Sequence, residues 1–236
     1  MLVTATAGEA GLSDDRRHDH TDLAARRLRE LALSASALGC ARVEVLGYAD
    51  SGSGPGAPQP GGFAGLDPRV PAERLAAILR EERADVLTTY DGHGGYGHPD
   101  HVQVHRVGAL AAELAGTPLV LEATLDRGLL RRAAAVLRVV PGARRLVPDD
   151  GFASAYLPRA ELTHRVDVRR HLAAKRAALA AHHSQTTGGG SVRTVGLLLR
   201  LPSALLGPVL GREWFREVGR PSPAAPLLDD VFASLR

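Results

Sequence analysis

Short apolar runs alternate with longer stretches of helical period over the first two thirds of the chain. Leu2–Thr6, Val43–Leu46, Ala84–Thr89 and Pro118–Thr124 read as strands. Between and after them, four segments read as helices. Thr21–Leu38 repeats leucine near the 3.6 period at Leu23, Leu28, Leu31 and Leu38, and Gly39 supplies a stop. Val70–Glu82 has Pro71 in its first turn, and Val102–Ala115 and Asp126–Leu137 follow. The glycine-, proline- and serine-rich stretch Asp50–Gly62 reads as a loop. Strand alternating with helix predicts an α/β protein, a Rossmann-like, mainly parallel sheet with helices on both faces. Past Pro141 the rhythm weakens to a short strand, Thr163–Val168, and a helix, Arg169–His183. The tail from Gly188 mixes glycine, proline and leucine without a clear period, and no internal repeat is apparent.

Composition narrows this picture. At 236 residues the chain suits one large domain, or one with an appendage. Aromatic residues are only 4%, so Leu, Val and Ala must fill the core. The 29 basic and 26 acidic residues leave a net charge of +3, scattered rather than striped, which argues against a nucleic-acid partner. Cys40 is the single cysteine and reads as a small buried hydrophobe; an internal disulfide and a thiolate zinc cluster are excluded. No basic segment followed by an apolar run opens the chain. The longest apolar stretch, Val195–Leu210, is broken by Arg200, Pro202 and Pro208 and falls short of the ~20 residues of a membrane span. A cytoplasmic protein is expected by default. The assembly state, a homo-oligomer included, is not fixed by the sequence.

The chemistry concentrates in Thr89–His105, which holds four histidines, two aspartates and two tyrosines around a run of glycines. It joins a strand to a helix, where open α/β sheets keep their sites. His98 and His101 are three apart and would share a helix face, with Pro99 in the first turn. Histidine is the commonest metal ligand and a general acid near neutral pH, and Asp100 could orient an imidazole. The plain alternative is a solvated helix start that merely tolerates histidines. Gly94, Gly95, Gly97 and Tyr96 weigh against it, since they let backbone and ring close over a ligand.

The stretch Tyr90-Asp91-Gly92-His93-Gly94-Gly95-Tyr96-Gly97-His98-Pro99-Asp100-His101 resembles the signature of the PIG-L/LmbE family of zinc-dependent N-deacetylases. Thr4–Gly11 resembles that family's second strand and turn. Arg27–Leu31 resembles its Arg-x-x-Glu-Leu helix, Leu46–Gly52 its substrate loop, and Lys175–Gln185 its late helix. The likeness runs from Leu2 to about Thr187 and is strongest to the actinobacterial branch acting on amino-sugar thiols and related glycosides. It implies a deacetylase domain over 1–187 and an extension over 188–236. It further implies that His101 ligates a catalytic zinc and that His98 faces the oxyanion or the leaving amine. Asp100 would support that histidine, Tyr96 would polarise the carbonyl from a mobile lip, and Arg27 and Asp50 would hold the sugar or aglycone. The implied partner is a small amino-sugar conjugate. Alone, Arg27 is a solvated helix charge and Asp50-Ser51-Gly52 a turn.

One departure stands out. The family's Ala-His-Pro-Asp-Asp-Glu motif, source of two further ligands and the general base, does not occur; His-Pro-Asp appears only at 98–100. A catalytic zinc takes three protein ligands and keeps one open position. The chain opens at what resembles the family's second strand, so the first strand is expected to be missing, the start misassigned or the gene fragmentary. Asp14, Asp15, His18 and His20 have ligand chemistry, but they sit among arginines and read as a solvated loop. The expected activity is zinc-dependent removal of an acetyl or other acyl group from an N-acylated amino sugar or its conjugate. Two rivals stand beside it. One is a truncated, inactive carbohydrate-binding member of the family. The other is a nucleotide-binding module, against which no Gly-x-Gly-x-x-Gly follows a strand.

Overall fold

The computed structural model describes residues 1–10, 20–52, 58–139, 144, 147, 150, 152–186, 196, 199, 203–222 and 226–236. Asp14, Asp15 and His18 lie outside the described residues. The chain divides into two compact units, Met1–Gly65 with Val168–Gly211, and Leu66–Asp167 with Arg212–Arg236.

The first unit is built on two parallel strands, β1 (Leu2–Thr6) and β2 (Val43–Tyr48), paired from Leu2↔Val43 to Thr6↔Tyr48 with an irregularity after Thr4. Helix α1 (His20–Ala37) connects them and ends where the amides of Gly39 and Cys40 fold back onto the last turn. It packs against α6 (Leu172–Ala181). The single helix expected over 169–183 is divided. A 3-10 turn (Arg169–His171) opens it, and His182 leaves helical geometry before the one-turn α7 (His183–Thr186). The last helix, α8 (Ser203–Leu210), tolerates Pro208 near its end and packs on α6. Its apolar sequence is too short to cross a membrane, and no helix among the described residues is long and apolar enough to do so.

The second unit carries a four-stranded sheet, ordered β3 (Val86–Tyr90), β4 (Leu119–Thr124), β6 (Arg212–Glu217), β5 (His164–Asp167). β3 and β4 are parallel, joined by α3 (Gly94–Gly97) and α4 (Pro99–Ala115). Helix α2 (Arg69–Glu81) packs on α4, and α4 in turn on β3. α5 (Arg127–Val139) follows β4. The α/β alternation read from the sequence is present. The departure is β6, which lies in the tail that shows no period in the sequence and pairs antiparallel with both β4 and β5.

β6 is buried on both faces. Trp214 and Phe215 point to opposite sides of the sheet, as neighbours on a strand must. Phe215 packs with Leu119 and Leu121, and Trp214 with Leu157 and Leu162. Burying an aliphatic side chain as fully as Leu121 contributes about 1.5–3 kcal/mol. Directly opposite each other in the β4–β6 ladder, Glu122 and Arg216 form a bidentate pair at 2.6 and 2.8 Å.

Candidate active site

In the second unit, strand β3 delivers Tyr90 and Asp91 to the top of the sheet, and the chain then turns through Gly92–Gly97 into α4. Asp91 is fully buried and organises the turn. Its Oδ1 accepts the backbone N–H groups of His93 and Gly95, both at 3.0 Å, and its Oδ2 accepts the hydroxyl of Thr124 at the end of β4. Thr124 Oγ1 in turn accepts the amide of Leu157 at 3.2 Å. Arg127 adds a second clamp. Its guanidinium donates to the carbonyls of Ala155 and Tyr156 and reaches His93 Nε2 at 3.2 Å. Gly94 and Gly95 have φ of 63° and 67°, a region L side chains avoid, so the turn needs glycine there.

His98 is the N-cap of α4 and Pro99 its first residue. Sequence spacing predicts His98 on the helix face. Instead its backbone is extended, because a residue before proline is pushed out of the helical region. Its Nδ1 accepts the backbone N–H of Asp100 at 3.2 Å. An imidazole that accepts at Nδ1 carries its proton at Nε2. His101 is held the other way, with Nδ1 3.3 Å from the carbonyl of Gly94. A carbonyl only accepts, so Nδ1 is the protonated nitrogen and the lone pair sits on Nε2. The two rings are 4.8 Å apart. His101 stacks on Tyr90 at 4.0 Å, and Tyr96 stands edge-on to both histidines at 5.3 and 6.2 Å. Tyr96 is 60% exposed, on the outer lip of the turn. Asp100 is buried, and its backbone N–H meets His98 Nδ1. Burial, with Tyr96 and Tyr156 nearby, pushes the Tyr90 phenol up to about 12.

His98, Asp100, His101 and Tyr96 are thus brought together. Arg27 and Asp50 belong to the first unit, where they meet a different set of groups. Arg27 donates to the carbonyl of Gly8. Asp50 is buried, its amide donates to Glu9 Oε1 at 2.8 Å, and its Oδ1 caps the amide of Gly52. Glu30, next along α1, takes both the amide and the hydroxyl of Ser184. Burial holds His182 below the ordinary histidine value, Glu30 opposing the shift and Arg27 adding to it.

Sequence reasoning missed Asp91, Thr124, Arg127 and Tyr156. Only Asp91-Gly92 carried a local signal, an Asx-type turn directly after a strand; the others arrive from distant segments. A metal fits the described residues poorly. His101 offers one well-oriented nitrogen, and no group of three His, Cys, Asp or Glu side chains among the described residues is arranged to hold an ion.

The PIG-L pattern, described as GlcNAc-PI de-N-acetylase, matches residues 1–112. Two relatives are named 1D-myo-inositol 2-acetamido-2-deoxy-alpha-D-glucopyranoside deacetylase. The one from Nocardiopsis dassonvillei is 37% identical over 217 residues, covering 80% of this chain and 75% of its own length. That from Thermomonospora curvata is 38% identical over 208 residues, 78% and 70% respectively. Among solved structures, the N,N'-diacetylchitobiose deacetylase of Pyrococcus horikoshii superposes with a TM-score of 0.56 over all of this chain and 77% of its own, at 20% identity, a likeness of fold. The chain belongs to the PIG-L family of de-N-acetylases, a family generally dependent on a metal ion.

Proposed function

We propose that this N-deacetylase removes the acetyl group from an N-acetylated glucosamine joined to inositol or a similar polyol. The relatives' named substrate supports the sugar. The observation that carries the reading is the opposed pair His98 and His101 beneath the Tyr96 lip. His98 presents an Nε2–H donor to the amide carbonyl oxygen, which gains negative charge as the tetrahedral intermediate forms. The Tyr96 phenol, at the lip, is the second donor to that oxygen. Asp100 fixes the His98 tautomer through its backbone N–H. Arg27 and Asp50 are the proposed contacts to sugar or polyol hydroxyls. Zinc is the proposed metal, with His101 Nε2 its one donor among the described residues. With its remaining ligands supplied, a zinc there would contribute a Lewis acid and an activated water. One imidazole does not complete a catalytic zinc site, which takes three protein ligands.

That shortfall favours a second reading, a family member that binds the carbohydrate without hydrolysing it. One experiment separates the two. The protein is incubated with zinc chloride and N-acetylglucosaminyl-inositol, and the new primary amine is followed. Amine release that disappears in His101→Ala and falls at least a hundredfold in His98→Ala supports hydrolysis. Calorimetric binding of the sugar with no amine released and no zinc retained overturns it in favour of the binding protein.

A further inference from the structure

Tyr156 has no place in the chemistry described so far, yet it lies against the turn that carries it. Its backbone is strained, with φ at 55° in the left-handed region that L residues avoid. Glycine would sit there at no cost, but the sequence has a tyrosine. Strain of this kind persists where surrounding contacts over-determine it, and it clusters at working sites. The contacts are specific. The Tyr156 amide donates to the carbonyl of Gly95 at 2.9 Å. Its own carbonyl is held by the Arg127 guanidinium, which also takes the carbonyl of Ala155. The ring lies on the α-carbon of Gly95, so that a Cβ there would stand 3.3 Å from Cε1. Gly95 is the point where α3 departs from helical geometry, with φ 67° and ψ −101°, and the next residue is Tyr96.

We propose that Tyr156 is a positioning residue for deacetylation, its ring and amide latching Gly95 so that the following Tyr96 stands over the histidine pair. This rests on the reading of the 90–101 turn as the amide-hydrolysing site. The left-handed backbone is what lets one residue do both jobs. It turns the amide toward the Gly95 carbonyl and lays the ring on the same glycine. The phenols of Tyr156 and Tyr96 are close enough to influence each other, and burial keeps that of Tyr156 protonated beyond the ordinary tyrosine range.

The test compares Tyr156→Phe, Tyr156→Ala and Tyr156→Gly in the full chain with zinc chloride. Thermal denaturation, kcat and KM for N-acetylglucosaminyl-inositol, and amide hydrogen exchange at residues 93–97 are measured. Ala and Gly both lack the ring, but only Gly is relaxed at a positive φ, so Tyr156→Gly melts about 2–4 °C above Tyr156→Ala. Both lose about 10- to 100-fold in kcat with KM within about twofold, because the lip is misplaced while the rest of the substrate still binds. Both also exchange faster at 95–97. Phe keeps the ring and retains activity within about twofold. Activity that simply follows melting temperature across the series overturns the proposal in favour of a structural role. Phe as impaired as Ala overturns it in favour of hydroxyl chemistry. If the unsubstituted protein releases no amine, the hydrolase reading has failed, and the exchange rates alone decide the latch. Unchanged exchange in Ala and Gly sinks it.

Discussion

His98 and His101, with rings 4.8 Å apart, are held in opposite tautomers by two backbone groups, the N–H of Asp100 and the carbonyl of Gly94. Neither partner is a side chain, so the polarity of the pair is written into the turn itself. One ring presents a donor at Nε2 and the other a lone pair, which is the division of labour amide hydrolysis needs. In the proposed reaction His98 would therefore have two separable roles, capping α4 and donating.

Substituting His98 by Asn separates them. Asn is a good N-cap, so the helix keeps its start and the melting temperature stays within about 1 °C. The Nε2–H is gone, and kcat falls about 100- to 1,000-fold, the usual cost of one oxyanion donor. His98→Ala loses the cap as well, about 1 kcal/mol, and melts about 2–4 °C lower. Calorimetry and steady-state kinetics on both variants check this.

Asp91 carries more of the turn than either histidine. Asp91→Ala leaves the amides of His93 and Gly95 and the hydroxyl of Thr124 without their acceptor. At about 1–3 kcal/mol for each buried group, a loss of about 3 kcal/mol or more is expected, with activity falling too because His101 leans on Gly94. Thr124→Val is milder, about 1–2 kcal/mol, since it removes a single hydroxyl bridge. Urea unfolding monitored alongside amine release distinguishes the two.

The Glu122–Arg216 pair locks β6 into the sheet. Arg216→Met removes the cation from a carboxylate that is 1% exposed. A buried charge wholly stranded costs about 3 kcal/mol; the loss is smaller here because the arginine is partly solvated and His105 Nδ1 still lies 3.3 Å from Glu122 Oε1. Melting about 6–10 °C lower is expected for a chain of this size. Replacing both residues with a well-packed apolar pair recovers most of the loss, which a double-mutant comparison of melting temperatures reads directly.

Acid sensitivity centres on His164, which is completely buried in β5. Its Nδ1 meets Thr163 Oγ1 at 2.8 Å, and Nε2 lies 3.9 Å from Glu217. Burial lowers its pKa below the ordinary histidine value; Glu217 and Asp230 oppose this and Arg220 adds to it. A histidine whose folded pKa is lowered stabilises the fold above its unfolded value of about 6.5. That stability is lost as the pH falls toward the folded pKa. Melting temperature should therefore drop between pH 7 and pH 5, and His164→Asn should flatten the drop. An unchanged drop in that variant would place the sensitivity on other groups, His182 first.

The strand–turn–helix from Ala84 to Ala115 was legible because its punctuation is local. Pro99 opens α4 with His98 at its cap, Gly116 closes it in left-handed geometry, and His101 falls in its first turn. The α/β class followed from the same alternation. β6 was not legible. Arg212-Glu213-Trp214-Phe215-Arg216-Glu217 has charged ends and only two apolar residues, so neither period shows. What makes it a strand is Glu122, 94 positions earlier, along with apolar layers on both faces. Tyr156 was invisible for a related reason. Nothing in Ala155-Tyr156-Leu157 announces a left-handed residue, because the strain is imposed by Gly95 and Arg127. The helix over 169–183 was read too long, since its apolar period continues past the place where His182 turns the chain.

The insertion of β6 between β4 and β5 also dictates an order in time. β5 joins the sheet through β6, and β6 leaves the ribosome after everything else in that sheet. Until residue 217 has emerged, β4 has an open edge and Glu122 a buried charge with no arginine beside it. The histidine turn hangs from β4 through Thr124, so the strand that anchors it keeps an open edge until the same event. Long-range closure of this kind is slow, and it exposes strand edges while it waits. A nascent chain arrested before Arg212 would hold every residue of the histidine turn and still lack the strand that closes the edge beside it.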